Sequence, residues 1–435
     1  MDLYNEGVDI PQVNTILFLR PTESMTVFLQ QLGRGLRLCD GKECLTVLDF
    51  VGRQNANYRF DTKYRALICD VTTPLIKQIR ENSFSLPRGC FITLEKVAQE
   101  TVLSHIERSL SKRKGLIQKI TEFEQESHQP LSVGAFLSYH HLDPHEIYQK
   151  SSFRQLCAEA KLCDPPTSDE EERITTAAKR LLYLNSVSMI RYIRQFLATK
   201  NLDFGVKNTE RQQTITNILY YSLYSQPLNE IHYPDLQSSL NVFVENDWMR
   251  AELDNLLAYL EEKTEVMEEP LDLGFETGLS LHCTYSRDQI FAGLGHWTPQ
   301  ECNVAGKREG VLYLKVKNLD VFFITLNKSE KHFSPSTMYD DYAISADLFH
   351  WQSQSTTSAS SPTGKRYIHH ESLGSKVLLF VREFNKINNI SQPYVCLGTA
   401  SYVSHTGSKP MSIVWRLHHP IPAGLMKKAN KTISG

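Results

Sequence analysis

The sequence predicts a multidomain α+β chain: the remnant of a RecA-like α/β domain over residues 1–55, a mainly helical region over 56–270 and an all-β barrel or sandwich over 271–435. Three observations predict the layers. Two short apolar runs bracket a helical stretch near the start, apolar residues then recur at helical spacing through the middle, and from about residue 271 the composition turns aromatic and β-branched.

In the first region, Val13-Asn14-Thr15-Ile16-Leu17-Phe18-Leu19 is a run suited to a buried strand, closed by Arg20-Pro21. Thr22 or Ser24 can cap a helix through Met25, Phe28, Leu29 and Leu32, and Cys44 to Val51 forms a second apolar run. Strand, helix and strand at this spacing make a βαβ unit of a parallel sheet.

In the middle region Leu103, Ile106, Leu110 and Ile117 fall on one helical face. Ile174, Ala177, Ala178, Leu181 and Leu182 repeat the spacing, as do Ile190, Ile193 and Leu197, and then Leu253, Leu256, Leu257 and Leu260. Breaks are expected at Asp164-Pro165-Pro166, near Pro227 and at Glu269-Pro270. These stripes serve packing.

In the last region Val311–Val316 and Asp320–Thr325 predict two strands around an Asn318 turn, and Val377–Val381 and Ser412–Leu417 two more. Between the pairs, residues 353–364 form a Ser/Thr-rich stretch expected to be a loop.

Composition excludes several classes. With 435 residues, 41% apolar and 22% charged, the chain has the balance of a folded protein rather than a disordered one. It has no apolar run of about 18 residues and so no expected membrane span. Nine scattered cysteines without a C-x-x-C pair point to reduced thiols in a cytoplasmic protein, with neither structural zinc nor a disulfide framework. The net charge of −2 hides a polarity: the last 75 residues carry ten Lys/Arg against Glu371 and Glu383, after an acidic stretch holding Glu261, Glu262, Glu265, Glu268 and Glu269. A basic end suggests a polyanion partner, and solvated surface charge is the alternative.

Two segments carry the chemistry. One is Asp2 to Pro11; the other is Gln30-Gln31-Leu32-Gly33-Arg34-Gly35-Leu36-Arg37, with the pattern Q-x-x-G-R-x-x-R. Phosphoryl transfer builds negative charge on the γ-phosphoryl oxygens, which arginines from a neighbouring domain can neutralise. Arg34 and Arg37, three apart, are expected on one side of a helical turn, and Gly33 and Gly35 allow close backbone approach.

Glu6-Gly7-Val8-Asp9-Ile10-Pro11 resembles motif V, and Gln30 to Arg37 motif VI, of the second RecA-like domain of bacterial superfamily 2 (DEAD/DEAH-like) helicases. The resemblance implies that Gly7 and Asp9 sit at the nucleotide and at its coupling to nucleic acid. It implies that Gln30, Gly33, Arg34 and Arg37 line the ATP cleft, the two arginines as fingers. The sequence holds no G-x-x-x-x-G-K-[ST] cradle, and Asp169-Glu170 follows a proline break, as a helix start does, rather than an apolar strand. ATP and Mg²⁺ are therefore expected only in a complete motor, and this chain alone is expected to be silent as an ATPase. The missing helicase strands, the missing first RecA-like domain and a nuclease domain are expected partners, with the chain a truncated product or one read from a mis-called start.

Leu86-Pro87-Arg88-Gly89-Cys90, Tyr339 to Ser345 and Leu348 to Gln354 resemble the C-terminal extension of bacterial helicases linked to restriction and phage defence, often behind a phospholipase-D-like nuclease. The function of that extension is unknown. From the residues themselves, Trp351 offers a stacking ring, Gln352 and Gln354 offer amides, and Lys365 and Arg366 offer charge for phosphates. This block is expected to be a DNA-contacting edge, with a core Trp beside a polar strand end as the alternative. The histidines and the trio Asp320, Lys328 and Glu330 match no metal or nuclease template, so no metal site is expected.

The expected function is the C-terminal portion of an ATP-dependent DNA helicase or translocase with a DNA-targeting domain. The rival is a non-enzymatic DNA-binding or interaction module, a sequence or modified-base reader, carrying a vestigial helicase tail.

Overall fold

Strands β1 (Thr15–Phe18) and β2 (Thr46–Asp49) pair in parallel, Thr15 opposite Thr46 and Phe18 opposite Asp49, with helix α1 (Met25–Gly35) between them in sequence. The βαβ unit read from the sequence is therefore present. The structure, a computed structural model, describes residues 10–19, 25–50, 63–64, 66–68, 75–87, 89–110, 113–127, 129–140, 142–149, 151–202, 209–302, 309–327, 341–387 and 390–429. By internal contacts the chain divides into two units, Met1–Pro165 and Pro166–Gly435, parting at the proline break.

In the first unit Phe18 and Phe28 meet at 5.3 Å beneath the Lys63 ammonium, 4.3 Å from the Phe28 ring and 2.6 Å from an Asp49 oxygen. The burial is one-sided: Leu17, Leu48 and Phe50 remain about half exposed. Beyond this lie α2 (Lys96–Leu110), α3 (Arg113–Glu126) and α4 (Val133–His140). The stripe read through Leu103, Ile106, Leu110 and Ile117 is a correction: Ile117 belongs to α3, not to the helix carrying the other three. Local periodicity does not register a break that keeps the same spacing.

The second unit opens with α5 (Ser168–Leu181), started by a capping box in which Thr167 and Glu170 satisfy each other's backbone amides. Asp169-Glu170 is thus a helix start, as the sequence suggested. Helices α6 (Val187–Thr199), α7 (Thr209–Leu223), α8 (Leu236–Glu245) and α9 (Asp247–Lys263) follow, each apolar stripe buried. Arg194 on α6 bridges Asp254 and Glu261 on α9, both at 2.8 Å. Helix α7 packs on α10 (Arg287–Gly293), where Gly293 leaves no room: a Cβ there would lie 2.5 Å from Leu279.

The last part is a mixed sheet. Its strands are β3 (Thr284–Tyr285), β4 (Val311–Leu314), β5 (Leu319–Asn327), β6 (Tyr342–Ala343), β7 (Leu348–Gln352), β8 (Lys376–Phe384), β9 (Tyr394–Thr406) and β10 (Ser412–Leu417). They run in the order β4-β5-β8-β9-β10-β7-β6, with β3 on β9. Strands β5 and β8 pair in parallel; the other pairs are antiparallel.

This part differs from an all-β region. It holds α10, α11 (Pro362–Ile368) and α12 (Ala423–Ala429), and among the described residues its end strands β4 and β6 are unpaired with each other. A parallel pair needs a long crossover, and the β5-to-β8 crossover carries β6, β7 and α11. Part of the expected 353–364 loop is accordingly helical: Ser361 caps α11 and Pro362 occupies its first turn. Buried on both faces, β5 sends Phe322 to Trp351, Tyr367 and Trp415, and Phe323 to Phe291 and Tyr394.

Candidate nucleic-acid interface

The arginine segment lies at the end of α1. Gln30, Gly33 and Arg34 share one helical face (i, i+3, i+4), Gln30 and Gly33 exposed and Arg34 half-buried. The helix stops at Gly35, so Arg37 is not on the turn that carries Arg34; it lies exposed in the connection beyond. What orders this connection is Lys42. Its ammonium donates to the carbonyls of Gly35, Arg37 (3.0 Å) and Pro11 (3.2 Å), closing the end of α1 against the segment before β1. At Gly35 a Cβ would lie 2.5 Å from the Ile16 terminal methyl and 2.8 Å from a Leu45 methyl, so those side chains would have to shift; at Gly33 nothing lies within 4 Å. Gly7 and Asp9 lie outside the described residues.

The residues expected at the DNA edge divide by strand alternation. Strand β7 buries Phe349 and Trp351 and turns Leu348, His350 and Gln352 to the other face. Trp351 stacks on Phe322 at 4.0 Å and meets Tyr367 edge-on, so the reading of Trp351 as a base-stacking ring is corrected: it is core. Gln354 is likewise engaged, its carbonyl oxygen accepting from Tyr367 and Thr357 at 3.3 Å each. Arg366 holds buried Asp320 in a bidentate pair at 2.7 and 2.9 Å and lies 3.7 Å over the Tyr313 ring. Burial opposes the Arg366 charge, but Asp320 more than offsets it and holds the guanidinium above its ordinary pKa. Lys365 is exposed on α11, and Gln352 is half-buried, donating to the Ser412 hydroxyl.

The same alternation assembles a row of which the sequence singled out only Gln352. On the face opposite Trp351, Tyr342 of β6 stacks on His350 of β7 at 4.6 Å and 16°, and His350 lies opposite Val414 of β10. Gln352 lies opposite Ser412, and Arg416, with its side chain 59% exposed, lies between Leu348 and Ser401. A stacked aromatic pair, an amide, hydroxyls and a guanidinium thus share one sheet face. Such a face can stack a base, bond its edge and meet a phosphate. The i, i+2 pattern in Leu348-Phe349-His350-Trp351-Gln352 was the available signal.

Among the described residues no group of three His, Cys, Asp or Glu side chains could hold a metal ion, and no helix is long and apolar enough to cross a membrane. None of the eight described cysteines is held in a disulfide.

Residues 279–429, which span β3 to β10, match a family profile described as a domain of unknown function, DUF3427. A stretch of 50 residues is 42% identical to the Saccharomyces cerevisiae protein named "Putative ATP-dependent helicase IRC3". That stretch is 12% of this chain and 7% of the yeast protein, so the chain spans a small part of that relative. The chain is thus similar over a short stretch to a protein named as a helicase and, over residues 279–429, to a domain of unknown function.

Proposed function

We propose that this chain is the C-terminal portion of an ATP-dependent DNA helicase or translocase, with a C-terminal domain that binds nucleic acid. The observation that carries the reading is the Q-x-x-G-R-x-x-R segment on a parallel βαβ unit, in a chain similar over 50 residues to a helicase. Arg34 and Arg37 act as fingers toward the γ-phosphate when a partner domain supplies the phosphate cradle and Mg²⁺ ligands. Lys42 fits this role as the group that orders the connection carrying Arg37. The exposed Leu17, Leu48 and Phe50 fit a sheet continued by further strands and helices.

In the C-terminal domain, Tyr342, His350, Gln352 and Arg416 supply the contacting face, with Lys365 as an additional phosphate contact. The chain alone binds nucleic acid without hydrolysing ATP. The test is a pair of substitutions, Arg34→Ala and Arg37→Ala, in a protein extended to include the phosphate-binding domain. ATPase activity is expected to fall by about 10³-fold or more, as for other arginine fingers, with DNA binding by the isolated chain unchanged. Retained ATPase, or DNA binding lost along with it, would refute this division of roles.

A further inference from the structure

Partly buried arginines of the second unit are matched to carboxylates: Arg180 meets Asp288, Arg194 meets Asp254 and Glu261, and Arg366 meets Asp320. Arg382, near the end of β8, differs. Its bonds go to uncharged oxygens: Nε to the Thr325 hydroxyl at 3.1 Å, Nη1 to the Gln392 carbonyl at 3.2 Å and Nη2 to the Asn385 amide oxygen at 2.6 Å. Among the described residues no carboxylate pairs with it. A guanidinium has five N–H donors, so these bonds leave one N–H on each terminal nitrogen of Arg382.

The charge brought beside Arg382 is a second arginine. Arg382 lies 4.3 Å over the Tyr394 ring. Arg287, the first residue of α10, lies 5.6 Å from the same ring and 4.1 Å from that of Phe323. Arg287 donates to the Tyr394 hydroxyl at 2.9 Å and to the Glu309 backbone carbonyl at 2.8 Å. Burial holds Arg382 below its ordinary pKa; Tyr394 opposes this and Arg287 adds to it. Neighbouring carboxylates are placed elsewhere. Asp288 engages Arg180 at 3.5 Å, and Glu383 follows Arg382 on β8 and so projects from the opposite face.

The position in the fold is one that parallel strands use for ligands. Strands β5 and β8 are the parallel pair and end together, Phe384 opposite Asn327, with Arg382 opposite Thr325 just before. In α/β sheets, ligands bind outside the carboxyl ends of such strands. Thr325 and Tyr394 are buried, whereas Arg287, Arg382 and Asn385 remain partly exposed. The two charges are therefore reachable from solvent on a fixed base.

We infer that Arg287 and Arg382 bind a phosphate monoester, carried on the end of a nucleic-acid strand or on a free nucleotide. Such a group brings three acceptor oxygens and a charge of about −1.5 to −2 at neutral pH, and arginine forks meet its oxygens bidentately. A backbone diester brings a single charge, so a guanidinium pair favours a terminal phosphate over an internal one. The site uses none of the residues of the sheet face assigned above and stands or falls separately from it.

The full chain is titrated with internally labelled single-stranded DNA bearing a 5′-phosphate, a 3′-phosphate or hydroxyls at both ends, with anisotropy reporting binding. Its melting temperature is also measured with adenosine 5′-monophosphate. For a strand end, a phosphorylated strand is expected to bind about tenfold tighter than the hydroxyl strand, the scale of one charge-assisted hydrogen bond. Arg382→Gln should remove that difference. For a free nucleotide, the strands bind alike, and the nucleotide raises the melting temperature of the parent but not of Arg382→Gln. Arg287→Gln should act as Arg382→Gln does, which keeps the test decisive where one variant fails to fold. No preference for phosphorylated ends together with no melting shift, or responses unchanged in both variants, overturns the site. Equal binding of all strands then leaves the nucleic-acid reading standing. A nucleotide response without binding of any strand overturns that reading and keeps the site.

Discussion

Arg366 grips Asp320 with two parallel hydrogen bonds, 2.7 Å from Nε to Oδ2 and 2.9 Å from Nη2 to Oδ1, and the Asp320 side chain is wholly buried. The pair ties α11 to the start of β5, next to the end strand β4, so Arg366 serves the fold. Removing one partner leaves a buried charge uncompensated, which typically costs about 3–5 kcal/mol. Arg366→Ala should therefore lower the unfolding free energy by that amount in urea titrations. Replacing both partners with apolar residues, Arg366→Met with Asp320→Leu, should recover most of it. A loss below about 1 kcal/mol for the single variant would show the pair to be screened like a surface ion pair.

Two glycines should respond with opposite signs. At Gly364 in α11 a Cβ would lie 2.0 Å from the Ser358 carbonyl oxygen, a backbone atom that cannot rotate away. Gly364→Ala should cost about 3 kcal/mol, the upper range for overpacking. Gly33 on α1 faces open space, so Gly33→Ala should stabilise by up to about 1 kcal/mol through helix propensity. Melting temperatures of the two variants decide this, and a shift of the same sign in both would contradict it.

Acid should weaken the unit formed by residues 166–435 in two stages. His282, His296 and His418 are held below the imidazole value of 6.5 chiefly by burial; neighbouring His419 adds to this for His282 and His418, while Glu371 opposes it at His418. With folded values depressed, the unfolded chain binds more protons below about pH 6.5. Stability is thus complete above that pH and falls as pH drops through the folded values. Glu268 follows at lower pH. Burial raises its pKa, but hydrogen bonds from Ser186, Ser188 and Ser280 outweigh burial and hold it below 4.5, so its contribution is lost as pH falls through that depressed value. Melting at about pH 5.5 should occur at lower temperature than at neutral pH, and His282→Gln with His418→Gln should narrow the difference. Equal melting temperatures at both pH values would contradict it.

Local signals were readable where the structure is local. The βαβ unit, the helix start at Asp169-Glu170, the hairpin at Asn318 and the long helical stripes all follow from residues within a turn or two of one another. The parallel partner of β5 was not readable, because β8 is separated from it by two strands and a helix. For Trp351 the alternative named from the sequence, a core Trp, is the one the structure shows. Strand alternation places Trp351 against Phe322 and leaves His350 and Gln352 on the other face. The meeting of Arg287 and Arg382 at Tyr394 was not readable either, since it joins segments that come together only through the sheet.

The most direct test of the central claim is a titration of the full chain against single- and double-stranded DNA at about 50 and 200 mM salt, the span over which phosphate contacts weaken strongly. Affinity is predicted to fall steeply with salt, and Arg416→Ala to weaken binding and reduce the salt slope by about one. Absent or salt-independent binding, or an Arg416→Ala titration indistinguishable from the parent, would contradict the assignment of this sheet face to nucleic acid.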